Sequence, residues 1–150
     1  FHPLDMVHNW NRVYGRSGFL QWQCAVPLDR TDDLRWIVGR LSDSGCSSFL
    51  NVLKRFGPGN QGPLSFPMEG WTLAIDVPTV GLPGLADLLD ELDRRVVEVG
   101  GRLYLAKDSR MAPELLASMY PRLDEWRKVR DTADPDRVLN SDLARRLHLV

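Results

Sequence analysis

WTLAIDVPTVGLPGLADLLDELDRRVVEVGGRLYLA, residues 71–106, decides the fold. In its first seven residues Trp71, Leu73, Ile75 and Val77 alternate with Thr72, Ala74 and Asp76, the period of two that marks a strand with two different faces. Pro78 and the turn from Gly81 to Gly84 break that period. Leu85, Leu88, Leu89, Leu92, Val96 and Val99 then recur at the spacing of an amphipathic helix, stopped by Gly100 and Gly101. RLYLA (102–106) returns to strand text, so this stretch reads strand, helix, strand.

The sequence upstream repeats the pattern. FLQWQCAV (19–26) puts Leu20, Trp22, Cys24 and Val26 on one face and Phe19, Gln21, Gln23 and Ala25 on the other. A helix follows, with Thr31 as its N-cap, Asp32 and Asp33 at the positive end of the dipole, Leu34, Ile37, Val38 and Leu41 as its apolar stripe, and Gly45 closing it. SFLNVLKRF (48–56) is again of period two, and GPGNQGPLSFP (57–67) is a breaker-rich connection. The order strand, helix, strand, strand, helix, strand predicts an α+β fold of the ferredoxin-like βαββαβ type, an antiparallel sheet with both helices on one face. Downstream the text is helical: PELLASMY, a helix from Pro121 through Asp131, and DLARRLHL capped by Asn140 or Ser141. Residues 1–17 lack a period and read as a loop. A module boundary is expected near Ala106 to Arg110, where strand text gives way to helices.

With 150 residues and a net charge of -1, the chain has room for a core and lacks the excess of Lys and Arg that marks a nucleic-acid binder. Cys24 and Cys46 have no ligand spacing and His2, His8 and His148 lie far apart, so no metal site is expected. Cys24 sits in an apolar strand and reads as a core residue. No run approaches the length of a membrane span, and FHPLDMVHNW has no signal-peptide pattern, leaving the compartment open. The immediately polar and aromatic start suggests that the chain begins inside a longer protein. GxSxG, HExxH and phosphate-loop spacings are absent, so hydrolase and nucleotide-cradle readings have no motif behind them.

If the helices cover one sheet face, the other presents Gln21, Gln23, Leu50, Val52, Lys54, Phe56, Thr72, Ala74 and Asp76. Amides, an ammonium and apolar walls together suit a ligand cavity, although a solvated sheet face can also carry Gln, Lys and Thr. Gln21 and Gln23 could bind sugar hydroxyls, and Lys54 could hold an anionic or polyhydroxy ligand or be a solvated edge charge. Tyr104 and Lys107 either approach a buried site or end a strand at the surface.

FLNVLKRFGPGNQGPLSFPMEGW, ELDRRVVEVGGRLYLAKDSR and YPRLDEWRKVRDTADPDRVLNSDLARRL resemble the C-terminal part of the decaprenylphosphoryl-β-D-ribose 2′-oxidase family, among the vanillyl-alcohol-oxidase-like flavoproteins that include the aldonolactone oxidases. The resemblance implies an FAD-linked oxidoreductase acting on a sugar or sugar-lipid, with the N-terminal FAD-binding half of the same protein as partner. Residues 1–100 would end its substrate domain, and 101–150 would return to its FAD domain. It further implies that Gln21, Lys54 and Phe56 line the substrate cavity, with Gln23 and Thr72 beside them, and that Tyr104 and Lys107 approach the flavin. The pattern has Asn at the place of Thr72 and Cys at that of Ala74, so it reaches the redox chemistry more firmly than the substrate contacts. The rival reading is a ferredoxin-like ligand-binding or dimerisation module without catalysis, pairing through an exposed sheet face. The helical tail after Lys107 speaks against it.

Overall fold

The computed structural model describes residues 8, 9, 12, 15–48 and 50–149. The loop expected over residues 1–17 lies mostly outside them, as does Phe49. Strands β1 (Phe19–Pro27), β2 (Asn51–Phe56), β3 (Gly70–Pro78) and β4 (Arg102–Leu103) form one sheet, with α1 (Thr31–Asp43) and α2 (Leu85–Glu98) in the two crossovers. The strand order is β2-β3-β1-β4 and every pairing is antiparallel. This is the α+β architecture and split βαβ connectivity expected from the sequence. A tail of short helices follows: a 3₁₀ turn at Pro113–Leu115, α3 (Leu116–Met119), α4 (Leu123–Ala133) and α5 (Asp142–Arg146).

The core lies where the alternation put it. Trp22, Cys24 and Val26 of β1 and Leu73, Ile75 and Val77 of β3 are buried against Leu34, Ile37 and Leu41 of α1 and Leu88, Leu89, Leu92 and Val96 of α2. Burial holds the Cys24 thiol well above its ordinary pKa, which makes it a packing residue. Arg40 forks onto Glu91 at 3.1 and 2.7 Å, and Arg95 pairs with Asp33, so two ion pairs tie α1 to α2.

The tail joins the same core through Met111, Leu116, Met119, Tyr120, Leu123 and Leu147. Tyr120 donates its hydroxyl to the Leu103 carbonyl at 2.7 Å, and the Leu103 amide reaches the Met119 sulfur at 3.1 Å. These two contacts take up the main chain of β4 just where the regular ladder stops. One residue further the chain turns, the Lys107 amide donating to the Tyr104 carbonyl at 3.0 Å, so the strand expected over 102–106 is only two residues long. Thr31 opens α1 but does not cap it, because its hydroxyl bonds back to the Leu28 carbonyl at 3.1 Å. Ser141 does cap α5, accepting from the Ala144 amide at 3.1 Å.

Gly70 opens β3 between Pro27 of β1 and Phe56 of β2. A Cβ there would stand 2.1 Å from the Val26 carbonyl oxygen, a backbone atom that cannot yield without shifting the ladder. Gly70→Ala is therefore expected to destabilise the chain by about 1–3 kcal/mol, the usual cost of overpacking, seen as a lower urea midpoint at unchanged slope.

Candidate functional site

The sheet face turned away from α1 and α2 is covered over one half and open over the other. Its register puts Lys54, Thr72, Ala25 and Arg102 in one cross-strand row and Val52, Ala74 and Gln23 in the next. Tyr104 extends that second row, because its amide donates to the Gln23 carbonyl at 2.9 Å. The connection after β2 folds back over the first row. Phe66, which is buried, meets Phe56 edge-on with centroids 5.8 Å apart and stacks on Tyr104 at 4.5 Å. Arg102 donates to the Ser65 carbonyl at 2.7 Å and Arg122 to the Gln61 carbonyl at 2.6 Å, so β4 and the tail each hold this roof down at one point.

Beyond the roof lies a small open cleft bordered by Gln21, Gln23, Tyr104 and Lys107. The structure thus brings together four of the seven site residues proposed from the sequence. Each amide is tethered through its nitrogen: Gln23 Nε2 donates to Thr72 Oγ1 at 3.0 Å and Gln21 Nε2 to Asp76 Oδ1 at 2.8 Å. The other three residues stand apart. Thr72 is 2% exposed, and its hydroxyl accepts from Gln23 while donating to the Cys24 carbonyl at 2.8 Å, so it orients Gln23 and is itself covered. Phe56 packs beneath Phe66. Lys54 is exposed on the edge strand β2, three strands from β4.

Charge is divided unevenly around the cleft. Every ion pair among the described residues is donated by arginine, and neither Lys107 nor Lys54 pairs with a described carboxylate. Lys107 is half-buried, following a turn in which its amide donates to the Tyr104 carbonyl at 3.0 Å. Behind the cleft wall Asp93 of α2, only 1% exposed, accepts from Trp22 Nε1 and Arg110 Nη1, both at 2.8 Å. Burial pushes its carboxyl up to about 7, against the opposing Trp22 hydrogen bond. Burial, with Arg146 nearby, lowers the pKa of Arg110.

Sequence reasoning missed Phe66, Arg102 and the Asp93–Arg110 pair. Asp93 left one readable signal. It lies four residues after Leu89 and three before Val96, a carboxylate on the apolar stripe of its helix, where an unpaired charge would be prohibitive.

The fold is an α+β sheet whose cleft holds an ammonium that no described carboxylate engages and two oriented amides, with a helical tail packed on the same core. Residues 79–147, which include Tyr104 and Lys107, match the family model of D-arabinono-1,4-lactone oxidase. Over all 150 residues the chain is 53% identical to decaprenylphosphoryl-β-D-ribose oxidase of Mycolicibacterium smegmatis, covering 32% of that protein. It is 50% identical over 144 residues to an uncharacterised protein in the mprA 5′ region of Streptomyces coelicolor, covering 95% of this chain and 39% of that protein. The resemblance read from the sequence is therefore real along the whole chain, which spans about a third of the length of the curated relatives it matches.

Proposed function

We propose that this chain is the C-terminal part of an FAD-dependent oxidoreductase that oxidises a secondary alcohol of a sugar or sugar-lipid. Residues 1–100 would complete the substrate domain, and 101–150 would return to a cofactor domain formed with the N-terminal half of the same protein. FAD, when bound, supplies a hydride acceptor at its N5 position. The observation that carries the reading is the cleft itself: the half-buried Lys107, engaged by no described carboxylate, shares it with Tyr104 and two tethered amides.

That donor set fits the group. A cation beside an aromatic phenol suits the pyrimidine edge of a flavin, where negative charge gathers on reduction. Gln21 and Gln23 are held through their nitrogens, which leaves their carbonyl oxygens to accept from substrate hydroxyls. Thr72 fixes Gln23 from below and so contributes to substrate orientation without touching the ligand. Lys54, exposed at the sheet edge and paired with no described carboxylate, suits an anionic group carried by the substrate, such as the phosphate of a sugar-lipid. The roof of Phe56, Phe66 and Tyr104 supplies an apolar wall that keeps water from one side of the cleft.

The intact protein should carry FAD, and an anaerobic polyprenylphosphoryl pentose should bleach its oxidised absorption band. Intact protein that binds no flavin, or a flavin band unmoved by any sugar or sugar-lipid alcohol, would overturn the reading. The 150-residue chain alone encodes one wall of such a site and should bind FAD weakly or not at all. Stoichiometric yellow colour in that preparation would show that the cofactor is held elsewhere than proposed.

A further inference from the structure

We infer that Asp93 and Arg110 are positioning residues that fix the Lys107 ammonium against the amide strand, a role that rests on the reading of Lys107 as the cofactor-facing cation. Lys107 sits in a segment with almost no regular ladder of its own, because β4 ends at Leu103. Its place is set by the residues just after it. The Asp108 carboxylate accepts from the Arg110 amide at 3.1 Å and the Met111 amide at 2.8 Å, and its other oxygen takes Arg146 of α5 at 2.7 Å. Arg110 then reaches inward to α2, where Asp93 and Asp90 hold its two terminal nitrogens.

The second oxygen of Asp93 holds the Trp22 indole at 2.8 Å, and Trp22 lies between Gln21 and Gln23 in β1. One buried carboxylate therefore fixes both walls of the cleft, the strand that carries the amides and the turn that carries the ammonium. Stability alone does not account for such a group. Buried ion pairs replaced by apolar residues of similar volume often leave stability unchanged or improved, whereas a group that ties two segments in register serves geometry. Displacements on the order of 1 Å at a reacting centre are worth up to roughly a hundredfold in rate.

The test uses the intact, FAD-loaded protein and the affinity of its flavin for sulfite, an anion whose binding reports positive charge at the pyrimidine edge without turnover. Lys107→Ala should weaken sulfite binding. Asp93→Asn should weaken it in the same direction by about tenfold. Because Asp93→Asn could also impair folding, the pair variant Asp93→Asn/Arg110→Met, which removes both charges together, is the second probe and should show the same loss in a folded protein. In the Lys107→Ala background Asp93→Asn should add nothing further, since it acts through the missing ammonium. Wild-type sulfite affinity in the folded pair variant, or a full additional loss in the Lys107→Ala background, overturns the positioning role alone. Unchanged affinity in Lys107→Ala overturns the assignment of Lys107 and this inference with it.

Discussion

Replacing Lys107 with alanine in the intact protein is expected to slow reduction of the bound flavin by substrate roughly a hundredfold, the usual scale for removing one preorganised charge from a developing negative centre. The expectation follows from three features on one side chain. Lys107 is half-buried, borders the cleft and is engaged by no described carboxylate, so its charge is not already neutralised. The sheet should be unaffected, because the residue follows β4 and contributes no strand pairing. Lys54→Ala is the matched control. It removes an ammonium at the opposite sheet edge and should raise KM while leaving the flavin potential alone. Rapid-mixing kinetics under anaerobic conditions measure the rate, and a redox titration without substrate measures the potential. An unchanged potential in the Lys107 variant removes that residue from the cofactor site.

Arg110→Ala is expected to act on stability, and to do so in a pH-dependent way. Burial holds the Asp93 carboxyl near 7, so between the ordinary carboxylate range and that value the folded chain keeps a proton that the unfolded chain has released. The stability Asp93 contributes is complete below the ordinary carboxylate range and is lost as pH rises through about 7. With Arg110 in place, the ionised form above that point still has a cation 2.8 Å away. Without it, a buried charge stands uncompensated. The variant should therefore lie close to the parent near about pH 5. In mildly alkaline buffer it should fall below the parent by about 3–5 kcal/mol. Asp93→Asn should flatten the pH dependence. Urea unfolding at a series of pH values reads both effects, and a pH-independent loss in Arg110→Ala would show that Asp93 does not titrate as described.

Much of this architecture was legible before any coordinates, for identifiable reasons. β1 and β3 each have one face against the helices, so burial enforces strict alternation in FLQWQCAV and WTLAIDV and the core face could be named residue by residue. The stripe of α2 was readable because the core it faces is continuous. RLYLA is strand text over five residues, but β4 keeps only two, because the chain turns from Tyr104 to Lys107 where a fourth strand would otherwise have continued. Thr31 looked like a cap but bonds backward to Leu28, a choice that depends on the path of the preceding turn.

The site was partly readable. Alternation alone put Gln21, Gln23 and Thr72 on one face, but it could not show that Thr72 would be consumed in holding Gln23. The roof was invisible because Phe66 sits in a segment of glycines and prolines with no period to read, and it is brought over the sheet by Arg102 and Arg122, which come from 37 and 61 residues away in the chain.

The split between arginine and lysine has a practical side. Sixteen arginines and three lysines share the positive charge, and among the basic residues it is the arginines that tie α1 to α2, the roof to the tail and the turn after β4 to the core. Guanidinium groups form planar, two-pronged contacts and are inert to most acylating reagents, while amines are compact and reactive. The scaffold is therefore insulated from amine chemistry. A mild acylating reagent would mark Lys54, Lys107 and Lys128 without cutting a single one of the described ion pairs, so the working surface of the molecule can be chemically edited while its framework is left standing.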